Sequence, residues 1–218
     1  MKKITEENYL KAIYWIMDRQ GHAGTNDIAK RLQTKASSVT DMVKKLSGKK
    51  LLTYTPYQGV VLTKKGTSEA LKVIRKHRLW EVFLVEKLHF KWDEVHAIAE
   101  QMEHIDSREL VSRLDKFLGS PSFDPHGDPI PDENGKFKSI KTYLLSDLEE
   151  GDSGIMAGVQ DSSASLLRHL ENLKIGIGTT LLVELKIPYD QSMEVRIDGK
   201  RKVTLSEMIC RNLILKKS

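Results

Sequence analysis

The sequence predicts a mainly α-helical chain with a β carboxy-terminal domain. A winged helix-turn-helix should be followed by a helical dimerisation domain and a small SH3-like β-barrel. Helical hydrophobic periodicity extends to Leu118, four of the six prolines fall between Gly119 and Lys138, and short β-like segments follow. The predicted domains are therefore residues 1–64, residues 65–138 with a proline-rich linker, and residues 139–218.

Composition narrows the class of protein. The chain has 218 residues, 39% of them hydrophobic, without a run of 18 apolar residues or an apolar core in the amino-terminal MKKITEENYL. We therefore expect a soluble, cytoplasmic protein that does not use a membrane. The one cysteine, Cys210, excludes an internal disulfide and is expected to be a buried small hydrophobic residue.

Positive charge is concentrated in the first third of the chain. Residues 1–75 contain 15 Lys and Arg against 6 Asp and Glu, whereas the remainder contains 20 against 24. This asymmetry favours a phosphate-binding unit joined to a mildly acidic one.

Three helices are predicted in the basic part. The first covers Glu6–Asp18 and ends before Gly21. Thr25 is expected to cap a short helix over Asn26–Leu32, and a tight connection leads to a third helix over Ala36–Ser47. Two short helices joined in this way form a helix-turn-helix.

A strand-turn-strand pattern follows and adds the wing. Its strands are Leu51–Thr55 and Val60–Thr63, with the turn at Pro56–Gly59. The second helix of such a unit enters the major groove of double-stranded DNA. We expect base contacts from Ser37 and Asp41, and phosphate contacts from Ser38, Thr40, Lys44 and Lys45, with Thr25, Lys35 and Tyr57 completing the set. The alternative is a solvated helix face in a protein-binding winged helix.

Three longer helices are predicted next. They cover Lys64–Leu88, Trp92–Ile105 and Arg108–Leu118, with Asp106 and Ser107 in a capping arrangement before the last. Their apolar residues exceed what one helix pair buries, which favours a homodimer. Beyond the linker, the β-like segments 154–159, 180–187 and 193–197 and a helix over 163–173 favour a small barrel.

Histidine and carboxylate residues recur at helical spacing in the middle of the chain. They are His77, Glu81, His96, Glu100, Glu103 and His104. Each pair four apart lies on one helix face and could form only a solvated ion pair, but six such residues beside apolar stripes favour a shared cation. No dinucleotide loop, Walker loop, HExxH or GxSxG motif accompanies them, and Gly176-Ile177-Gly178 is better explained as a turn.

The segments RKHRLWE, DEVHAIAEQMEHI and DPHGDPIP, behind a winged helix beginning EENYLKAIY, resemble the diphtheria-toxin-repressor and manganese-transport-regulator family of metal-dependent repressors. The resemblance covers nearly the whole chain, including a barrel similar to ferrous-iron transport accessory domains. It implies a regulatory metal site of Asn8, Glu100, Glu103 and His104. It also implies a second site of His77, Glu81 and His96, or of Glu81 with Asp124, His126 and Asp161.

Three positions bear on which metal ion the site would bind. Asn8 stands where family members have methionine or aspartate, Lys11 where some manganese sensors have glutamate, and Glu100 where iron-sensing relatives have cysteine. A shell of oxygen and imidazole donors suits Mn(II), with Fe(II) as the alternative, whereas Zn(II) is expected to bind without selecting the correct geometry.

The resemblance thus implies a metal-dependent repressor whose homodimer binds a palindromic operator once metal orders it. Two alternatives remain at this stage. One is a metal-dependent hydrolase with Glu100 or Glu103 as general base, and the other is a metal-independent winged-helix regulator that senses an organic ligand.

Overall fold

The computed structural model describes residues 2–55, 59–92, 94–138, 141–161 and 163–217. They form two compact units. The first contains the residues up to His77 together with Glu100–Val111 and Pro131–Lys136. The second contains Arg78–Ala99, Ser112–Ile130 and the residues from Phe137 onward.

The first unit contains the predicted winged helix-turn-helix. Its elements are α1 (Lys2–Gln20), α2 (Thr25–Arg31), α3 (Ala36–Gly48), β1 (Leu52–Thr55) and β2 (Gly59–Leu62). The two strands pair antiparallel, and Ala23 exchanges two backbone hydrogen bonds with Val60 at the edge of this sheet. Apolar residues of all three helices and both strands form one core, in which Ile13, Val39 and Leu46 are completely buried.

The sequence predicted a cap at Thr25 and a DNA contact at Tyr57 in this unit. Thr25 does not cap α2, because the helix already begins at Thr25 and the N-cap is Gly24 in extended conformation. A Cβ on Gly24 would lie 2.7 Å from Asp27 Oδ2, so the Asp27 carboxylate occupies the space that a larger cap would need. Tyr57, Pro56 and Gln58 lie outside the described residues.

Three helices follow the wing, namely α4 (Lys64–Leu88), α5 (Val95–Met102) and α6 (Arg108–Phe117). Helix α5 begins three residues later than predicted from Trp92, and Asp93 lies outside the described residues. Ser107 Oγ accepts a hydrogen bond from the Leu110 amide and so caps α6, as the sequence indicated. None of the described helices is both long enough and apolar enough to cross a membrane.

The second unit contains a six-stranded antiparallel sheet in the order β3-β8-β4-β5-β6-β7. Its strands are β3 (Thr142–Leu144), β4 (Ser153–Val159), β5 (Thr180–Lys186), β6 (Met193–Ile197), β7 (Arg201–Leu205) and β8 (Leu213–Lys217). The predicted β-like segments are β4, β5 and β6, so the predicted fold class is confirmed. Helices α7 (Ala164–Asn172) and α8 (Glu207–Cys210) complete this unit, and burial raises the pKa of the Cys210 thiol to about 11.

Gly66 is the position in α4 where a side chain cannot be accommodated. A Cβ there would lie 1.8 Å from the Leu51 carbonyl oxygen, whereas a Cβ on Gly48 in α3 would meet no atom within 4 Å. We expect Gly66→Ala to lower the free energy of unfolding by about 1–3 kcal/mol through overpacking. Gly48→Ala should leave it unchanged or raise it by up to about 1 kcal/mol, because alanine favours helix. Urea unfolding of both variants measures the difference, and equal stability would contradict the close packing of α4 against Leu51.

Candidate metal centre

The carboxylate of Glu103, in the turn after α5, is the best-enclosed charge of the first unit. Lys11 Nζ donates to both of its oxygens, at 2.7 and 2.8 Å, and His77 Nδ1 lies 2.7 Å from Oε2. Burial by itself raises the pKa of Glu103, but the hydrogen bond with His77 and the charge of Lys11 outweigh it and lower the pKa. Glu103 is therefore held as an anion.

Asn8 carries a buried oxygen close in sequence to these contacts. Among the described residues, its Oδ1 has no hydrogen-bond partner. On the same helix, Glu7 Oε2 lies 2.7 Å from His104 Nδ1, while Lys11 contacts Glu103 as described. An unpaired buried amide oxygen is costly, and coordination to a cation would satisfy it.

The regulatory set predicted from the resemblance consists of Asn8, Glu100, Glu103 and His104. His104 Nε2 is 3.7 Å from Glu103 Oε1, and Glu100 Oε1 is 3.5 Å from Lys11 Nζ. The Glu100 side chain is 52% exposed and thus accessible from solvent. Among the described residues, Glu100, Glu103 and His104 do not bring one ligand atom each within 4.8 Å of one another, so joint coordination would need side-chain movement. By their chemistry, three oxygen donors and one imidazole, including the Asn8 amide, suit a hard or borderline divalent cation.

A second cluster lies in the second unit. One ligand atom from each of Glu81, Asp124 and His126 falls within 4.8 Å of the others, and two of the three residues are buried. Ligands bound to one ion at about 2.1 Å are at most about 4.2 Å apart, so small side-chain shifts would suffice for coordination. Asp124 Oδ1 also accepts hydrogen bonds from the His126 and Asp128 amides, which fixes the loop around the cluster.

Charge in this cluster is already partly balanced. Arg78 is buried and lies 3.6 Å from Asp124 Oδ2 through Nε. Burial and the negative charges of Glu81 and Asp128 raise the pKa of Asp124 to about 7, against the effects of Arg78 and His126. Burial lowers the pKa of His126, but its contact with Glu81 and the charge of Asp124 together raise it to about 9. Protons and Arg78 thus compensate charge that a divalent cation could also compensate.

The other residues proposed for the second site are His96, His77 and Asp161. His96 Nδ1 lies 3.2 Å from Glu81 Oε1, and its side chain is 66% exposed. His77 is one turn before Glu81 on α4, and its Nδ1 bonds to Glu103. Asp161 accepts hydrogen bonds from the amide and the hydroxyl of Ser163 at the start of α7, and among the described residues it does not join the ligand group of Glu81.

Strand β4 positions the loop that carries His126. The Val159 amide donates to the His126 carbonyl oxygen at 2.9 Å, and His126 Nε2 lies 2.7 Å from the Trp92 carbonyl oxygen. Gly127, at φ +91°, approaches Gly158 so closely that a Cβ on either glycine would clash with the other backbone. Trp92 itself packs against the apolar core of the sheet.

Comparisons with known proteins agree with this organisation. Residues 3–60 match the iron dependent repressor N-terminal DNA binding domain, residues 63–132 match the iron dependent repressor metal binding and dimerisation domain, and residues 143–217 match the FeoA domain. The HTH-type transcriptional regulator MntR of Shouchella clausii is 33% identical over 50% of this chain and 92% of its own length. The chain belongs to the IdeR/MntR family of metal-dependent transcriptional repressors.

Individual members of the family match this chain over different lengths. The iron-dependent repressor IdeR of Mycobacterium tuberculosis is 37% identical over 58% of this chain, and the match spans only 55% of IdeR. A manganese-dependent transcriptional repressor in complex with manganese has a TM-score of 0.76 and 32% identity, covering 96% of this chain and 98% of its own. ScaR with bound Zn2+ has a TM-score of 0.66 and 31% identity, covering 98% and 99%. The family resemblance seen in the sequence is thus confirmed.

The DNA-binding positions expected for a family member lie mostly on the surface of the first unit. Lys35 is the N-cap of α3, and Thr25 is the first residue of α2. The α3 residues Ser37, Ser38, Thr40, Asp41, Lys44 and Lys45 are all exposed. Thr40 Oγ1 donates to the Ala36 carbonyl oxygen, and Lys45 is paired with Glu6 at 2.7 Å.

Three residues that contact the candidate ligands do not follow from the sequence pattern. The helical spacing of histidines and carboxylates does not single out Glu7, Lys11 or Arg78. The spacing of Glu7 and Lys11 by four places both on one face of α1, and this signal is visible in the sequence. Arg78 has no such signal, because its partners Asp124 and Asp128 follow more than 40 residues later.

We expect Gly158→Ala to push the His126 loop away from β4. The new Cβ would lie 2.4 Å from Gly127 Cα and 3.0 Å from the His126 carbonyl oxygen. Hydrogen exchange of the Val159 amide should accelerate by about tenfold or more, because the amide loses its acceptor. Gly176→Ala is the matched control, since its Cβ would meet no atom within 4 Å. Unchanged Val159 protection in Gly158→Ala would refute the proposed role of this contact.

Proposed function

We propose that this protein is a Mn(II)-dependent transcriptional repressor whose homodimer binds palindromic operator DNA, with Fe(II) as the alternative metal. The observation that carries the proposal is the buried, unpaired Asn8 Oδ1 on helix α1 of the winged-helix unit. Its helix contacts Glu103 and His104, the residues that the family resemblance assigns to the regulatory site. Binding to chromosomal DNA would place this activity in the cytoplasm.

Helix α1 offers a path from the metal residues to DNA. At one position, Lys11 bonds to Glu103. Five residues earlier, Glu6 pairs with Lys45 and Lys49 at 2.7 and 2.6 Å, and these lysines lie on and just after the recognition helix α3. A divalent cation held by Asn8, Glu100, Glu103 and His104 would place positive charge where α1 meets Glu103. Any shift of α1 against Glu103 would then move α3 as well.

The donor set favours manganese. It contains carboxylate, amide and imidazole donors but no thiolate, because Glu100 occupies the position of the iron sensors' cysteine. Such donors suit Mn(II) and Fe(II), whereas Zn(II) accepts similar donors in a tetrahedral arrangement. The manganese-bound repressor and the zinc-bound ScaR among similar structures support binding of more than one divalent metal.

A second copy of the chain is the proposed partner of helix α6. Leu110 and Phe117, seven residues apart on one face of this helix, are 37% and 64% exposed. Burying them in a homodimer would remove apolar surface from water. Two recognition helices about 34 Å apart would then read two half-sites of a palindrome. The successive matches also support the proposed domains of residues 1–64, 65–138 and 139–218.

A hydrolase that uses Glu103 as its general base is not favoured by the site. Both oxygens of Glu103 accept hydrogen bonds from Lys11, and the pKa of this carboxyl is lowered, which makes it a poor general base at neutral pH. Organic-ligand sensing without metal would predict DNA binding that a chelator does not affect. Titration of DNA binding with and without chelator therefore separates a metal-dependent repressor from a regulator that senses an organic ligand without metal.

We expect Glu103→Gln to weaken manganese-dependent DNA binding by about tenfold or more, because a central ligand loses its charge. Binding is measured at fixed salt by fluorescence anisotropy, on a duplex selected from a random pool with wild-type protein and Mn(II). Glu133→Gln, at an exposed position of the same unit, is the control and should bind like wild type. Wild-type affinity of Glu103→Gln at every Mn(II) concentration would disprove the proposed metal coupling.

Lys44 is expected to contact a phosphate. Its side chain is exposed on α3, one residue before Lys45. Lys44→Ala should reduce the slope of log K against log salt by about 0.9 on that duplex, since one fewer counterion is released. Lys174→Ala, an exposed charge change in the second unit, should leave the slope unchanged. The phosphate assignment is wrong if both variants keep the wild-type slope.

A further inference from the structure

Lys11 is the cation already present among the proposed regulatory ligands. Its Nζ lies 2.7 and 2.8 Å from the oxygens of Glu103 and 3.5 Å from Glu100 Oε1. The side chain is only 15% exposed, so water screens these contacts weakly. One ammonium group thus contacts two carboxylates that the metal-dependent function assigns to a divalent ion.

The alternative to a regulatory role is a purely structural ion pair. A structural pair would hold α1 against the turn after α5. Its loss would lower the stability of the fold without increasing the affinity for metal. However, Glu103 also has His77 as a partner at 2.7 Å, and Glu7 joins α1 to His104 independently. Lys11 is therefore not the sole link of α1 to this region. It is distinctive in placing its positive charge on the oxygens that coordination requires.

We propose that Lys11 is a resident cation of the Glu100 and Glu103 carboxylates, so that a divalent ion binds there only by displacing the ammonium group from their oxygens. This inference rests on the proposed metal-dependent function. Each oxygen that coordinates metal must first lose or share its hydrogen bond to Lys11, and the displaced charge remains nearby and repels the metal. Lys11 therefore raises the metal concentration at which the site fills.

The same contact stabilises the metal-free protein. Without Lys11, the ion-pair partners of the buried Glu103 among the described residues are two imidazoles, His77 at 2.7 Å and His104 at 3.7 Å, and a poorly compensated buried carboxylate is costly. Loss of the ammonium should thus lower stability without metal and increase affinity for metal. A purely structural pair predicts only the first change, so the two measurements together separate these roles.

The experiment compares wild type with Lys11→Met, which keeps the apolar stem of the side chain and removes its charge. Isothermal titration with MnCl2 should show a dissociation constant lower by about tenfold or more. The melting temperature in chelator should fall. Lys11→Arg retains the charge and should titrate like wild type, as should Lys30→Met, a charge removal at an exposed position of α2. If Lys11→Met is unfolded without metal, Lys11→Gln replaces it with the same expectations.

Glu103→Gln in the same titration separates the inference from the function on which it rests. Unchanged or weaker Mn(II) binding by Lys11→Met, together with loss of binding in Glu103→Gln, would overturn the role of Lys11 and leave the metal site intact. Wild-type binding by Glu103→Gln would instead overturn both proposals. Tighter binding by Lys11→Met with a lower melting temperature supports the displacement of ammonium by metal.

Discussion

The buried carboxylate of Glu103 is the constraint on which the first unit depends. A carboxylate removed from water is tolerated only with charged or hydrogen-bonded partners, and here these come from two different helices. Lys11 approaches from α1 and His77 from α4, both at 2.7 Å. Neither contact follows from local sequence preference, because Lys11 is 92 residues and His77 is 26 residues from Glu103. The burial of one charge therefore organises distant parts of the chain.

Helix α1 extends this organisation to the recognition helix. Glu7 and Lys11 of α1 contact His104 and Glu103 in the turn after α5, while Glu6 holds Lys45 and Lys49. Two sets of charged contacts on a single rigid helix move together, so the position of α3 depends on how α1 meets Glu103. For the proposed cation held in part by Asn8, this dependence would be a direct mechanical connection to the recognition helix.

The sequence indicates which residues could form the proposed metal clusters, but it does not indicate which other side chains contact them. Helical spacing identified Glu100, Glu103 and His104, and the winged helix followed from periodicity and turn residues. The partners of those residues depend on tertiary packing, which periodicity does not encode, so Arg78 received no role. Strand β7 was also missed, because Arg201 and Lys202 give it a polar pattern and its pairing with β6 is made by the backbone at a sheet edge.

Asn8 and Lys11, the two α1 residues that differ from those of relatives, both make the proposed metal site less negative. In relatives with carboxylates at both positions, residues 8 and 11 would each bring a negative charge toward the metal. Here Asn8 is neutral and Lys11 is positive, so the formal charge contributed by the side chains at positions 8, 11, 100 and 103 is −1. Coulomb attraction for a divalent ion falls accordingly, and the remaining affinity depends more on Glu100, Glu103 and His104. A site built in this way compensates its own buried charge without metal, and it therefore responds to metal only when the concentration is high enough to displace Lys11.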